Sequence, residues 1–316
     1  MPDFKVLVAD DLSKAAVEIM TKAGLSVDVN TGLPPAQLAE IVGAYHGLAV
    51  RSATKVTADI LARATSLKIV GRAGVGVDNI DVKAASEKKV LVINTHSGNA
   101  IAAGELALGY IFALARKLPQ STASMKKGEW EKKKFMGVEI TGKTLGVVGF
   151  GNIGRQVAER AVGLKMKVLA HDPVLPASAT PPPGVEFAAF EDLVSRADFV
   201  TLHIPALPET KNLFGAATFA KMKKGAFLIN CARGGIVDET ALYESLKAGH
   251  LGGAALDVFE KEPCGPLPLF ELDNVIASPH IGASTKEAQE KVAVELAEVF
   301  VDFLKNGRVR NAVNKI

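Results

Sequence analysis

One glycine-rich stretch constrains the fold of this chain more than any other feature. It runs from Leu145 to Gly154 and places three glycines in a G-x-G-x-x-G pattern directly after an apolar run. An apolar helical pattern follows, so the stretch predicts a strand that turns sharply into a helix. The first turn of such a helix presents backbone N–H groups that have no partner within the helix, and these groups bind anions.

Each glycine of the pattern has its own expected task in a dinucleotide site. Gly149 permits the tight turn, Gly151 lets a pyrophosphate approach the backbone, and Gly154 lets the helix lie close to the strand. A second apolar run ends at Asp172, 21 positions after Gly151, where a carboxylate binds the ribose hydroxyls of adenosine. This carboxylate accepts from the free 2′-hydroxyl of NAD and repels the 2′-phosphate of NADP. The sequence therefore predicts NAD as the cofactor, against the alternative of a tight turn that binds no ligand.

Length and charge exclude several other classes of protein. At 316 residues, 48% of them hydrophobic, the chain suits two domains with large cores. The 37 basic and 34 acidic side chains leave a formal charge of +3, which does not predict nucleic-acid binding. Cys231 and Cys264 form neither a disulfide framework nor a zinc set, so no metal site is expected.

Neither the start of the chain nor its longest apolar stretch indicates export or a membrane span. The start of the chain, MPDFKVLVAD, enters a strand pattern directly, so we expect no signal peptide and a cytoplasmic location. The longest apolar stretch, Ile101 to Ala115, contains Glu105 and is too short for a membrane span. It predicts a helix buried between the two domains.

Strand-like and helix-like segments alternate in both halves of the chain, as in parallel sheets with crossover helices. In the first half the predicted strands are Lys5–Ala9, Leu25–Val29, Gly47–Val50, Leu67–Val70 and Val90–Ile93. The helices between them are Ser13–Lys22, Pro35–Val42, Ala58–Ala64 and Val82–Lys88. In the second half the strands are Thr144–Val148, Met166–Ala170, Phe199–His203, Ala226–Asn230, Ala254–Val258 and Val275–Ala277. Loops are predicted over Pro119–Lys143 and Pro176–Gly184.

The last helix is expected to carry the chain back to the first domain. It has a capping box at Ser284-x-x-Glu287, an apolar stripe, and stop signals at Lys305 and Gly307. The stripe consists of Val292, Leu296, Val299 and Phe303. The predicted fold is thus α/β, with two doubly wound parallel-sheet domains and a ligand cleft between them. A flavodoxin-like substrate domain comprises residues 1–100 and 283–316, and a Rossmann NAD domain comprises residues 101–282.

Three polar side chains, Arg233, Glu262 and His280, each follow one of the last three predicted strands. A guanidinium holds a planar carboxylate through two parallel hydrogen bonds. An imidazole removes a hydroxyl proton near neutral pH, and a neighbouring carboxylate fixes its tautomer and stabilises its charged form. These are the groups that hydride transfer from a hydroxy acid requires.

Spacing alone leaves a structural alternative for each of the three residues. In this alternative, Arg233 would cap a turn or form a salt bridge, Glu262 would be a solvated loop carboxylate, and His280 would be a turn histidine bonded to backbone. His203 also ends a predicted strand near the proposed cofactor.

Six separated stretches carry a resemblance to the D-2-hydroxyacid dehydrogenase family that extends from end to end of the chain. They are residues 70–81 (VGRAGVGVDNID), 130–137 (WEKKKFMG), 145–154 (LGVVGFGNIG), 230–238 (NCARGGIVD), 254–263 (AALDVFEKEP) and 278–289 (SPHIGASTKEAQ). Several long matches in the same order are far more specific than any one of them.

The resemblance implies that Arg233, Glu262 and His280 are the catalytic residues. The full set expected to contact NAD is Val75, Gly149, Gly151, Asn152, Ile153, Gly154, Asp172, Ile204, Cys231, Ala232, Arg233, Asp257, His280, Gly282 and Ala283. The set expected to contact substrate is Arg51, Ser52, Arg72, Gly74, Val75, Asn99, Lys132, Arg233 and His280.

The resemblance also implies a substrate and a partner. Arg51 and Arg72 suit a 2-hydroxy acid that carries a phosphate, and we expect NAD-dependent oxidation of 3-phospho-D-glycerate in phosphorylated serine synthesis. The arm around Trp130 resembles the family's dimer-forming segment, in which Lys132 would reach the neighbouring subunit's substrate. A homodimer through the Rossmann domain and this arm is expected.

Two other functions stay open at this point. Within the enzyme class, the alternative is a hydroxypyruvate or glyoxylate reductase, or another D-2-hydroxyacid dehydrogenase. A non-catalytic scaffold that senses NADH is an alternative of another class, and the retention of all three catalytic candidates argues against it.

Overall fold

The computed structural model describes residues 4–95, 98–176 and 178–316. The chain divides into two compact units, one formed by Met1–Ala100 with Ala283–Ile316 and the other by Ile101–Gly282. Across the described ranges, none of the helices is both long and apolar enough to cross a membrane.

The first unit is built on a parallel sheet of five strands. They are β1 (Lys5–Val8), β2 (Ser26–Val29), β3 (Gly47–Val50), β4 (Ile69–Arg72) and β5 (Leu91–Asn94). Its helices are α1 (Lys14–Lys22), α2 (Pro35–Ile41), α3 (Ala58–Arg63), α4 (Val82–Glu87) and the last helix of the chain, α11 (Lys286–Asn306). The strand order is β2-β1-β3-β4-β5, the flavodoxin-like order predicted from the sequence.

The sheet of this unit is buried on both faces, which is why its strands read as continuous apolar runs. Val6 and Val8 pack with α11 on one face, while Leu7 packs with α2 and α3 on the other, since successive side chains point to opposite sides. Phe300 of α11 is fully buried. Burial of such a ring contributes about 1.5–3 kcal/mol to the free energy of unfolding.

The second unit holds a parallel sheet of seven strands. They are β6 (Thr144–Val148), β7 (Lys167–His171), β8 (Val185–Phe187), β9 (Phe199–Leu202), β10 (Phe227–Asn230), β11 (Gly253–Leu256) and β12 (Val275–Ala277). The helices are α5 (Ala100–Arg116), α6 (Leu118–Lys126), α7 (Asn152–Gly163), α8 (Phe190–Arg196), α9 (Ala216–Lys221) and α10 (Glu239–Lys247). The order β12-β11-β10-β9-β6-β7-β8 places β6 beside β9, where the winding of the sheet reverses. A doubly wound sheet binds its ligand at this point, outside the carboxyl ends of the strands.

The predicted fold class is confirmed, and three local predictions are wrong. The predicted loop Pro119–Lys143 begins with α6, because Pro119 occupies the first helical turn, where its missing N–H costs nothing. The short edge strand β8 was not predicted, since its side chains are only partly buried. The cap of α11 is Thr285, whose hydroxyl accepts from the backbone N–H of Ala288, so the capping box at Ser284 does not form.

Other boundaries shift by one or two residues. Strand β4 ends at Arg72 rather than Val70, so the Arg72 side chain stands at the carboxyl edge of the sheet. Helix α5 covers the predicted range, but Ile101 and Phe112 are exposed, so it is not buried on every side. Gly307 ends α11 in the left-handed conformation, as its stop signal predicted. The predicted loop Pro176–Gly184 includes Ala177, which lies outside the described residues.

Candidate active site

The three glycines of the fingerprint form the turn between β6 and α7. Gly149 has a φ of +94°, and a side chain there would overlap the His203 backbone at the end of β9. Gly151 caps α7 without a side-chain hydrogen bond, and the space above it is open for at least 4 Å. A side chain at Gly154 would overlap the Gly149 carbonyl, so this glycine lets the helix lie against the turn. Each glycine therefore has the geometry that the sequence predicted for it.

This turn fits a dinucleotide. The open cradle above Gly151 leaves room for a pyrophosphate beside the first N–H groups of a twelve-residue helix, whose positive dipole end attracts anions. Asp172 follows β7, and its carboxylate accepts from the N–H groups of Phe150 at 2.8 Å and Val174 at 3.0 Å. These two bonds hold the carboxylate beside the fingerprint, and each oxygen keeps a lone pair for a ribose hydroxyl.

Arg233 lies in a hydrogen-bonded loop after β10. The buried side chain of Asn230 brackets the loop, since its Oδ1 accepts from Ala232 N and its Nδ2 donates to Arg233 O, each at 3.0 Å. The Arg233 guanidinium donates to the Ala232 carbonyl at 2.7 Å. Its neighbour Gly234 packs directly against the Phe259 carbonyl, so the loops after β10 and β11 are held together.

Glu262 and His280 form a hydrogen-bonded pair. Glu262 Oε2 lies 2.7 Å from His280 Nδ1, and Glu262 Oε1 accepts from Phe259 N at 3.1 Å. A carboxylate only accepts, so Nδ1 carries the proton and Nε2 keeps its lone pair. His280 has a φ of +53°, and its backbone N–H donates to the carbonyls of Asp257 and Ser278. The structure therefore brings together two of the three predicted catalytic side chains and places Arg233 after the adjoining strand β10.

Asp257, a predicted NAD contact, is fully buried and supports the His280 turn. Its Oδ1 accepts from Ile281 N at 2.8 Å and from Ser278 Oγ, and its Oδ2 accepts from Gly282 N at 2.7 Å. Ser278 Oγ also contacts the Tyr110 hydroxyl of α5. Ser278 and Tyr110 were not predicted, although Ser278 stands in the SPHIGASTKEAQ stretch and Tyr110 is the one phenol in the apolar α5 sequence.

The remaining predicted NAD contacts of this unit follow the central strands. Ile204 follows His203 after β9, and Cys231 and Ala232 are buried after β10. Burial and the nearby charge of Asp257 raise the pKa of the Cys231 thiol, so this thiol stays protonated and is no nucleophile. Burial lowers the pKa of His203 to about 3, so its ring is neutral at physiological pH.

The candidates in the first unit line the carboxyl edge of its own sheet. Arg51 and Ser52 follow β3, Arg72 ends β4, and Gly74 and Val75 follow it; Asn99 follows β5, and Ala283 begins the return segment. The buried Asp10 accepts from Arg51 N at 2.6 Å, and the guanidinium of Arg51 donates to the Asp11 carbonyl. Gly74 N donates to the buried Thr95 hydroxyl at 2.8 Å, and Arg72 donates to the Gly76 carbonyl. These bonds fix the backbone of both loops.

The arm between α6 and β6 carries exposed apolar side chains. Trp130 is 80% exposed and Met136 is 78% exposed. Lys132, predicted to reach a neighbouring subunit, is exposed in the same segment.

Comparisons with known proteins agree with this geometry. The NAD binding domain of the D-isomer specific 2-hydroxyacid dehydrogenase family matches residues 108–282. The chain is 49% identical over 311 residues to a D-3-phosphoglycerate dehydrogenase of Archaeoglobus fulgidus and 48% identical to one of Methanocaldococcus jannaschii. Each alignment covers 98% of this chain but only 59% of the relative, so the chain spans about three fifths of the length of these relatives.

A solved structure shares the whole fold. The crystal structure of the TT0316 protein from Thermus thermophilus superposes with a TM-score of 0.89 at 36% identity, and the match covers 98% of this chain and 100% of that one. The family match extends over more than half of the chain and includes the fingerprint, Arg233, Glu262 and His280. The chain therefore belongs to the D-isomer specific 2-hydroxyacid dehydrogenase family, and residues 108–282 are its NAD-binding domain.

Proposed function

We propose that this chain oxidises 3-phospho-D-glycerate to 3-phosphohydroxypyruvate with NAD. The observation that carries the proposal is the pair formed by Glu262 and His280 at 2.7 Å on adjoining loops of the NAD-binding domain. A hydroxy acid must lose a proton from its hydroxyl as hydride leaves the same carbon, and such a pair performs that proton transfer.

The roles of the three side chains follow from their hydrogen bonds. Because Glu262 accepts from Nδ1, the Nε2 atom of His280 is the base that takes the hydroxyl proton, and the carboxylate stabilises the imidazolium that forms. Arg233 holds the substrate carboxylate through its guanidinium fork and polarises the oxygen on the reacting carbon. Bound NAD supplies the hydride acceptor.

The residues that would hold NAD are those of the fingerprint and the strand ends beside it. The first turn of α7 would hold the pyrophosphate above Gly151, and Asp172 would accept from the ribose hydroxyls. The carboxylate of Asp172 repels a 2′-phosphate, which favours NAD over NADP. The identity of the relatives as D-3-phosphoglycerate dehydrogenases supports the choice of reaction.

The charge around Arg51 supports a phosphorylated substrate. Arg51 borders a cavity of about 380 Å³ that is also lined by Lys14, Lys286, Asp11 and Glu290. Three cations against two carboxylates leave one net positive charge, which favours an anionic ligand. Arg72 stands at the end of β4 in the same unit and is proposed as the second phosphate contact.

A homodimer is part of the proposal. Trp130 and Met136 expose most of their apolar surface on one arm, and Leu118, Met125 and Val138 of the neighbouring sequence are exposed as well. Exposed apolar patches of this kind mark protein interfaces, and a second copy of the chain is the proposed partner. Lys132 on this arm then carries its charge toward the partner's substrate. The cytoplasmic location stays a prediction from the sequence.

A substrate panel with NAD tests the proposed reaction. NADH formation is measured with 3-phospho-D-glycerate, D-glycerate and D-lactate, and NADH consumption with glyoxylate and hydroxypyruvate. We expect the highest kcat/KM for 3-phospho-D-glycerate. A higher kcat/KM for glyoxylate or hydroxypyruvate would identify a reductase of the same family, and no turnover of any hydroxy acid would leave a non-catalytic scaffold.

A further inference from the structure

A chain of hydrogen-bonded side chains supports the turn at His280, and two of its members, Tyr110 and Asp257, are remote from this turn in sequence. Ser278 Oγ donates to Asp257 Oδ1, because a carboxylate only accepts. Because the hydroxyl hydrogen of Ser278 is used in that bond, the Tyr110 hydroxyl donates to Ser278 Oγ. The chain therefore runs from the Tyr110 phenol through Ser278 to the buried carboxylate of Asp257.

Asp257 connects this chain of hydrogen bonds to the backbone that carries His280. Its carboxylate accepts from the N–H groups of Ile281 and Gly282, and its carbonyl accepts from the N–H of His280. A single residue thus fixes three consecutive N–H groups of the turn. The turn needs this support, because His280 adopts the left-handed conformation with a φ of +53°, which costs about 1 kcal/mol or more for a residue with a Cβ.

The environment keeps the chain of donors intact. Tyr110 is 6% exposed and Asp257 is fully buried, so water does not compete for these bonds. Burial raises the pKa of Tyr110 to about 12, so its phenol stays a donor throughout the physiological pH range.

We propose that Tyr110 and Ser278 are positioning residues that set the orientation of the His280 imidazole by fixing the carboxylate of Asp257. Within the described residues, neither hydroxyl makes a hydrogen bond to the side chain of His280 or Glu262. Their effect passes from the Asp257 carboxylate through the backbone N–H groups of Ile281 and Gly282 to the His280 ring that pairs with Glu262. The inference rests on the proposed role of His280 as the base, and it adds two residues that the chemistry itself does not name.

The test compares Tyr110→Phe, Ser278→Ala and the double variant with two matched controls. Tyr243→Phe removes a phenol on α10, and Ser245→Ala removes a buried hydroxyl that makes no hydrogen bond within the described residues. The first measurement is kcat, and its pH dependence, with 3-phospho-D-glycerate and NAD. The second, which needs no substrate, is amide hydrogen exchange of the peptide that contains Ile281 and Gly282.

We expect Ser278→Ala to lower kcat about tenfold, because it removes a hydrogen bond to the charged Asp257 carboxylate. Tyr110→Phe removes only the hydrogen bond to Ser278, so we expect it to lower kcat about threefold. Because both act through Asp257, the double variant should lose no more than Ser278→Ala alone. The pH dependence of kcat should change, and exchange at residues 281–282 should accelerate about tenfold in Ser278→Ala. The controls should match the wild type in all of these measurements.

The outcomes separate this inference from the proposed reaction. An active wild type whose kcat, pH dependence and exchange are unchanged in the two variants overturns the positioning role, even if thermal stability falls. Losses in the double variant that multiply those of the single variants overturn the common path through Asp257. A wild type without activity overturns the proposed function, and the exchange measurement then decides whether Tyr110 and Ser278 hold the His280 turn.

Discussion

Gly234 lies where the loop of Arg233 contacts the loop that leads to Glu262. A methyl group added there tests whether the close approach of these two loops is needed for activity. A Cβ atom built on Gly234 would lie 1.8 Å from the Phe259 carbonyl oxygen and 2.8 Å from Glu260 N. Carbon and oxygen atoms in such contacts stay about 3.3 Å apart, so Gly234→Ala forces the two loops to separate by roughly 1.5 Å. Both obstructing atoms are backbone, so no side-chain rotation relieves the overlap.

The adjacent Gly235 offers a matched control. Its φ is +77° and no atom lies within 4 Å of a Cβ built there, so Gly235→Ala adds backbone strain without moving the loops. That strain costs about 1 kcal/mol of the free energy of unfolding, and the overlap at Gly234 costs about 1–3 kcal/mol. A displacement of about 1 Å at a catalytic group costs about 10²-fold in rate.

We therefore expect Gly234→Ala to lower kcat/KM for 3-phospho-D-glycerate about 100-fold and Gly235→Ala only about threefold. Initial rates of NADH formation measure the activity, and thermal unfolding confirms that both variants are folded at the assay temperature. Equal losses of kcat/KM in the two variants, or a Gly234→Ala enzyme with the wild-type value, would refute the argument that this close approach positions Arg233 and Glu262.

Further substitutions test the cofactor, the substrate and a partly buried histidine. Asp172→Asn removes the charge that repels a 2′-phosphate, so the ratio of kcat/KM for NADP to that for NAD should rise at least about tenfold, and an unchanged ratio would contradict the assignment. Arg51→Ala and Arg72→Ala should each raise KM for 3-phospho-D-glycerate about tenfold or more while KM for NAD stays constant; equal turnover of D-glycerate by the wild type would exclude a phosphate site. Burial lowers the pKa of His203 to about 3, so between about pH 6.5 and pH 3 the unfolded chain binds a proton that the folded chain does not. The free energy of unfolding, measured with urea, should therefore fall as pH falls through this window, by on the order of 5 kcal/mol at most, and His203→Gln should lose part of that dependence; the same slope in both proteins would be evidence against burial of the neutral ring.

The fold could be predicted from local patterns because both sheets are buried on both faces. Strands such as β3, with all four residues buried, leave unbroken apolar runs, and the intervening helices keep a helical period. The errors arise where local signals are weak or ambiguous. Pro119 reads as a helix breaker but is compatible with the first turn of α6. Ser284 and Thr285 are adjacent residues that both favour N-cap positions, and the geometry of the turn selects Thr285 although Ser is the stronger cap.

The candidate site shows the same division between local and long-range information. The fingerprint is local, so the tasks of Gly149 and Gly154 followed from spacing alone. The contact of Glu262 with His280 joins residues 18 positions apart, and motif resemblance supplied it. The contact of Tyr110 with Ser278 joins residues 168 positions apart, and no spacing rule relates them. Such contacts depend on how α5 packs on the sheet, which the sequence pattern does not specify.

One pair of substitutions determines whether His280 is the base of the proposed NAD-dependent oxidation. His280→Gln keeps the size of the side chain and removes the basic nitrogen; His250→Gln makes the same change at a histidine whose Nε2 contacts the Phe219 carbonyl at 2.8 Å. We expect His280→Gln to lower kcat with 3-phospho-D-glycerate by about 10²–10⁴-fold while the Kd for NAD stays within about threefold, and His250→Gln to keep near wild-type turnover. A wild-type kcat in His280→Gln would show that His280 is not the base.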